Sequence, residues 1–460
     1  MSNGPDETLT RFQRPAARQS AAMDDLVRQA VFGAPEERTR ARWLIWEIGQ
    51  AAGVRPASIH ELYLARGRGE APVFTTPAIN VRMLAYDSGR AIFRAAKRLD
   101  VGAVICEIAR SEIGYTDQRP AEYVAVMTAA ALREGFTGPL FIQGDHVQVN
   151  AKKYAADADT ELAAVRALID EELQAGFYNI DVDTSTLVDL SQPDLDTQQR
   201  VNYERAAELT QFIRDREPAG VTVSVGGEIG EVGGKNSDVH ELRAFMEGYR
   251  RTLGRLGGGR APGISKISVQ TGTSHGGVVL PDGSIAKVQI DLEALAALSR
   301  EARARYGLGG AVQHGASTLP PEAFGRFPEC EAIEIHLATN FQTIVFDHPR
   351  LPAELRAELN QWVKAECQDE WKRGDTEQQF IYKSRKKAIG PFKRRLWDLP
   401  ADVRTAIGAD LERTFAFLFE QLRVPHTRAV TDRFVRPPHQ SHAEPRPVAV
   451  AAPDDLEAGE

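Results

Sequence analysis

One pattern recurs eight times along the chain and restricts its fold more than any other feature. A short apolar run ends in a polar or charged residue, and a stretch with apolar residues at helical spacing follows. The predicted strands are residues 73–80, 101–109, 138–146, 179–183, 221–229, 264–271, 310–314 and 332–337. Predicted helices fill the intervals, over about 81–99, 121–134, 159–175, 197–215, 239–256 and 291–306. Strands apolar on both faces belong to parallel sheets covered by helices. Eight strand–helix units at a spacing of roughly 30 to 45 residues describe an α/β protein, a (β/α)8 TIM barrel. A doubly wound open sheet shares the local pattern but rarely needs eight consecutive units, so the barrel is preferred.

Extensions flank that core. Residues 1–70 carry helical spacing and no strand signal, and Trp43 and Trp46 fall on one helix face suited to packing on the main domain. The barrel is expected over 71–347 and a helical extension over 348–428, with helices near 355–371 and 400–422. The Pro-, Ala- and Glu-rich tail 429–460 has no core-forming pattern and is expected to be disordered.

Composition removes several function classes. The net charge of −8 gives no basic field to recruit nucleic acid or an anionic membrane. Cys106, Cys330 and Cys367 form no Cys-x-x-Cys pair, against a disulfide framework or cysteine zinc knuckle and in favour of a reducing compartment. The opening residues are polar and acidic, and no apolar run approaches the roughly 18 residues of a membrane helix. A cytoplasmic protein is expected.

Chemistry gathers where the strands stop. Asn80, Asp145, His146, Asp183, Glu228, His275 and His314 all fall at or just beyond predicted strand ends. In a barrel these ends converge on one face. Core packing does not ask for imidazoles at equivalent positions. Three histidines and a glutamate make a set suited to zinc, which in catalytic sites takes three protein ligands and keeps a position open. The runs Gly226–Gly234, His275–Gly277 and His314–Thr318 are rich in glycine, and glycine or serine after late strands can offer backbone N–H groups to a phosphate.

The order Asp-His, Glu-x-Gly-x-x-Gly-Gly, Gly-Thr-x-His-Gly and His-Gly-x-Ser, within residues 80–339, resembles the class II zinc-dependent fructose- and tagatose-bisphosphate aldolases. The resemblance implies reversible aldol cleavage of a phosphorylated ketose to dihydroxyacetone phosphate and an aldehyde. It implies zinc on His146, His275 and His314 with Glu228 beside it, and Asp183 near a second site for a divalent or monovalent cation. Asp145 then handles the hydroxyl proton, and Gly276, Gly315, Ser317 and Thr339 fall where the family binds phosphate. Asn80 and His336 join them as substrate-binding candidates. A phosphorylated sugar is the implied partner, in a homodimer or higher homo-oligomer. Retro-aldol chemistry on a metal needs no Schiff-base lysine, and Lys266, mid-strand, is the one lysine near a strand end.

Some positions depart from the family pattern. Gln143 stands where some members have a histidine, Ala109 where a serine often meets substrate, and His336 where many have asparagine. Ala338 replaces an aspartate of some members, and Lys235-Asn236 replaces a common acidic residue. These changes keep open a metal-dependent sugar epimerase or an aldolase of a non-standard sugar; a non-catalytic aldolase partner subunit is a further alternative, against which the retention of Asp145, His146, Glu228, His275 and His314 argues. Last, Tyr382–Trp397 is strongly basic in an acidic chain, and Arg385, Lys386, Lys387, Lys393, Arg394 and Arg395 are candidates for the far phosphate of a bisphosphate.

Overall fold

The computed structural model describes residues 5–230, 235–273, 280 and 290–445. Its strands are β1 (Val54–Ala57), β2 (Thr76–Asn80), β3 (Ile105–Ala109), β4 (Gly138–Gln148), β5 (Asn179–Asp183), β6 (Ser224–Glu228), β7 (Lys266–Val269), β8 (Ala311–Gln313) and β9 (Glu334–Leu337). All the pairings are parallel. Strands β2 to β9 pair in sequence, and β9 returns to β2, which closes the (β/α)8 barrel. The eight expected strands are these eight, each within its predicted run or, for β4, two residues beyond it. Most are fully buried along their length, as strands walled by helices require.

The helices follow from their ends. Asp238 caps the helix Val239–Leu256 by accepting from the amides of His240 and Glu241, while Glu241 accepts from the Asp238 amide. Asp157, Asp194 and Asp291 cap the helices after β4, β5 and β7 in the same way.

Two differences lie at the flanks. The stretch before residue 70 does contain a strand: β1 pairs with the first residues of β4, Val54 beside Gly138 through Ala57 beside Phe141. Four residues are too short for a period-two signal to stand out. The tail, expected to be disordered from residue 429, forms a helix over Arg428–Phe434. Residues 440–442 then lie against the N-terminal helices. The Trp43 and Trp46 indoles donate to the carbonyls of His442 and Gln440 at 2.8 and 2.6 Å, and the His442 ring stacks on Trp46. The tail is ordered by indole donors elsewhere in the chain, which no local composition reveals. Residues 446–460 of the expected tail lie outside the described residues.

Candidate active site

β4 carries Asp145 and His146 shortly before its end at Gln148. Neighbours on a regular strand face opposite sides of the sheet. Here the pairing of β4 with β5 slips between Gly144 and Val147, and His146 takes a left-handed backbone with φ of 41°. Such a bulge bends the strand and re-aims its side chains, so that Asp145 and His146 both border one cavity. A non-glycine residue held in that region costs on the order of 1–3 kcal/mol, a strain that clusters at functional sites.

The cavity has a volume of about 430 Å³ at the C-terminal ends of the strands. Asp145 lies at its floor, gripped on both oxygens. Asn80 Nδ2 donates to its Oδ2 at 3.0 Å, and His336 Nδ1 is 3.1 Å from its Oδ1. His146 Nε2 and His314 Nδ1 stand 3.9 and 4.0 Å from that Oδ1. Burial alone would raise the Asp145 carboxyl, but the facing His146, His336 and His314 outweigh it and hold the group well below the usual carboxylate range.

His146 and His314 are close neighbours, with ring centroids 4.2 Å apart. Asp183 Oδ2 accepts from His146 Nδ1 at 2.9 Å, and Glu228 Oε2 is 3.4 Å from the same nitrogen. Ser268 Oγ lies 3.0 Å from His314 Nε2. Ligand atoms of Asp145, His146 and His314 lie within 4.8 Å of one another, as do those of His146, Asp183 and Glu228. Burial and the neighbouring Asp183 push Glu228 up to about 7. Three buried carboxylates around one imidazole are a costly arrangement that a divalent cation would relieve, and imidazole with carboxylate is a donor set that zinc accepts. His275 and Gly276 lie outside the described residues.

On the same cavity wall stand Gly315, Ser317 and Thr339. Gly315 has φ of 68°, a conformation glycine adopts without strain. Ser317 Oγ accepts from the Ala338 amide at 2.6 Å, which ties the loop after β8 to the start of the helix Thr339–Phe346. Thr339, the first residue of that helix, borders the cavity, and a helix start is a setting that favours anions.

Two groups of expected residues have partners of their own in the structure. His336 borders the cavity, but its ring is only 4% exposed as a residue and both nitrogens are engaged, Nδ1 by Asp145 and Glu107 and Nε2 by Glu334. Its two nitrogens thus face the carboxylates of Asp145, Glu107 and Glu334. The basic segment also divides. Arg385 pairs with Asp347, Lys387 with Glu370, Lys393 with Glu122 and Arg395 with Glu358, while Arg394 lies over the Phe32 ring. These side chains fasten the C-terminal extension. Lys386 differs: it borders the cavity beside Arg82 and Tyr115 and forms no ion pair among the described residues. Burial and then Arg82 lower its ammonium from the ordinary lysine value. Lys383 also reaches the cavity wall but is paired with Asp375.

Residues that sequence reading missed complete the wall. Arg82 donates to Glu112 Oε1 at 2.6 Å and to Gln342 Oε1 at 3.1 Å, and Glu112 Oε2 accepts from Asn80 at 2.9 Å. Arg82 stands two residues after Asn80, a spacing that could have flagged it. Glu112 follows β3 inside a predicted loop and carried no such signal.

The family model for fructose-bisphosphate aldolase class-II matches residues 69–387. The chain belongs to the class II fructose-bisphosphate aldolase family. Members of this family are typically metal-dependent, and the His146 clusters supply residues that could hold the ion. No curated protein matches the chain. Among solved structures, a probable tagatose 6 phosphate kinase from Sinorhizobium meliloti 1021 shares 18% identity over 78% of this chain and 93% of its own, with a TM-score of 0.52. A putative fructose-1,6-biphosphate aldolase from Coccidioides immitis shares 18% over 80% of this chain and 97% of its own, with a TM-score of 0.45. A glycerol-complexed fructuronate-tagaturonate epimerase from Cohnella laeviribosi shares 12% over 86% of each chain, with a TM-score of 0.49. At 18% identity, the first of these likenesses speaks to the fold alone. Among the described residues, no helix is long and apolar enough to cross a membrane.

Proposed function

We propose that this class II family member is a zinc-dependent aldolase that cleaves and forms a carbon–carbon bond in a phosphorylated ketose, giving dihydroxyacetone phosphate and an aldehyde. The observation that carries the reading is one cavity bordered by Asp145, His146 and His314 at its floor, by Gly315, Ser317 and Thr339 on one wall, and by Arg82 and Lys386 on another. His146 and His314, with His275 from the sequence pattern, would hold the metal, Glu228 would stand beside it, and Asp183 would orient His146. When bound, the ion supplies Lewis-acid stabilisation of the charge that develops on the ketose oxygens.

The chain's own groups do the rest. Asp145, kept ionised by the three imidazoles around it, takes the proton from the hydroxyl next to the breaking bond. The electron pair of that bond passes to the three-carbon fragment as an enediolate, which takes up a proton at carbon to become dihydroxyacetone phosphate, and the other fragment leaves as the aldehyde. The N–H groups around Gly315 and Thr339 hold the phosphate of the three-carbon fragment, and Lys386 faces the phosphate at the other end of a bisphosphate.

A sugar epimerase would use the same metal and base. It is favoured by Ala109, which borders the cavity without a hydroxyl where a serine often meets substrate. The deciding experiment is metal analysis of the purified chain, followed by a coupled assay for dihydroxyacetone phosphate released from fructose 1,6-bisphosphate. Release that stops with chelation supports the aldolase. Metal-loaded protein that interconverts sugar stereoisomers without releasing a three-carbon product would replace it with the epimerase.

A further inference from the structure

The interior of a TIM barrel is usually filled by layers of bulky branched side chains. Here the layer beneath the site is polar: Glu107, Gln143, Asp181, Lys266 and Glu334 are all at most 5% exposed. Each comes from a different strand. Lys266 Nζ donates to Gln143 Oε1 at 2.7 Å and to Glu334 Oε1 at 2.5 Å, and its distance to Asp181 Oδ1 is 2.8 Å. Gln143 Nε2 donates to Glu107 Oε2 at 2.8 Å and to Glu334 Oε1 at 2.9 Å. Even Asp181 has its space reserved, since a Cβ on Gly226 would fall 2.3 Å from its Oδ1. Buried ions and polar groups are costly to desolvate and are often replaceable by apolar residues without loss of stability, so stability gives little reason for such a layer.

This network ends upward in a single ring. His336 Nε2 donates to Glu334 Oε1 at 2.7 Å, and its Nδ1 lies 3.1 Å from both Glu107 Oε1 and Asp145 Oδ1. Glu107 already receives Gln143 on its other oxygen, while Asp145 carries Asn80 on its Oδ2. The ring is fixed from below through Glu334, which Tyr63 also binds through a hydroxyl 2.5 Å from Oε2. Above, it meets the Asp145 carboxylate, whose aim matters for the chemistry, and packs against the His314 ring with centroids 4.0 Å apart.

We propose that His336 is a positioning residue for Asp145. The buried layer of Glu334, Gln143 and Lys266 serves to lock the His336 ring, and the ring's Nδ1–H sets the direction of Asp145 Oδ1 toward the reacting hydroxyl. His336 itself touches no substrate. Its rate effect rests on the aldol reading above, whereas its hydrogen bond to Asp145 does not.

Two arms test this on the zinc-loaded full chain. In the first, kcat and KM are measured for H336A, H336N, D145A and the double variant D145A/H336A on fructose 1,6-bisphosphate. H336A should lower kcat by about 10²-fold with KM and metal content unchanged, because a small misplacement of a reacting group costs that much. H336N, which keeps a donor, should recover part of it. The double variant should be no slower than D145A, since both changes remove one function. In the second arm, the imidazole N–H signals of 15N-histidine-labelled protein are compared between the wild type and D145N. The His336 Nδ1–H resonance should shift in D145N, a variant that leaves the buried layer intact. An unmoved resonance, or an H336A chain with unchanged kcat, or losses that multiply in the double variant, would overturn the proposal. A wild type with no aldol turnover would instead defeat the reading under Proposed function, and the NMR arm would still decide this one.

Discussion

Asp183 holds His146 by the back of its ring: the carboxylate accepts from Nδ1 at 2.9 Å, which leaves Nε2 as the nitrogen that faces Asp145 across 3.9 Å. Asp183 is itself fixed by Gln148 and by the amide and hydroxyl of Ser185. A carboxylate in this place sets both the tautomer and the aim of a metal-binding imidazole. Asp183→Ala should therefore weaken zinc binding by about 10–100-fold while the fold persists. Competition against a chelator of known affinity measures it, and an unchanged affinity would remove Asp183 from the metal's support.

Asp145→Ala should separate binding from chemistry. The residue is assigned a proton and not the metal, so zinc per chain should stay near that of the wild type while turnover falls by about 10²–10⁴-fold. Metal analysis and initial rates on the same preparation give both numbers. Loss of the metal together with activity would make Asp145 a ligand.

The strand pattern made the barrel legible, because apolar runs and their polar stops are local features. Asp145 and His146 were legible as a pair, but their common orientation was not, since it depends on a bulge that no alternation of residue types encodes. The charged layer under the site had left a trace. Glu334 precedes His336 by two residues, Gln143 precedes Asp145 and Asp181 precedes Asp183, and a spacing of two puts each pair on one face of its strand. Charges within otherwise apolar strands, two residues before a site residue, mark a polar interior. The roles within Tyr382–Trp397 could not be read from charge, because Asp347, Glu370, Glu122 and Glu358, which neutralise most of that segment, are distant in sequence.

That segment gives a sharp contrast. Lys386 borders the cavity and forms no ion pair among the described residues, whereas Arg385 is bound by Asp347 at 2.6 and 3.0 Å. Lys386→Ala should raise KM for fructose 1,6-bisphosphate by about 10-fold or more, with a much smaller change for a monophosphate analogue, as expected for loss of a charge-assisted contact. Arg385→Ala should lower Tm and leave the ratio of the two KM values unchanged. Equal effects of Lys386→Ala on both substrates would detach it from the second phosphate.

Glu172 supplies a pH test of the scaffold. It is fully buried behind β4, with both carboxylate oxygens lacking a hydrogen-bond partner among the described residues, and a Cβ on Gly144 would fall 2.7 Å from each. Burial pushes it up from 4.5 to about 8. The folded chain thus binds a proton that the unfolded chain has lost, so this group's stabilisation is complete below pH 4.5 and fades as the pH rises to about 8. The slope is at most about 1.4 kcal/mol per pH unit. Glu172→Gln should flatten the fall in urea stability between pH 5 and 8 relative to the wild type. Parallel curves for the two proteins would show that the carboxyl is ionised in the folded state.

The most direct measurement of the central claim is an anomalous difference map at the zinc edge from crystals of the full chain grown with zinc. One strong peak should lie at the cavity floor within about 2.0–2.1 Å of a ring nitrogen of His146 and of His314, with His275 completing the set. A cavity floor without a peak, or a peak confined to the buried layer around Glu107 and Glu334, would contradict a metal-dependent aldolase built on these residues.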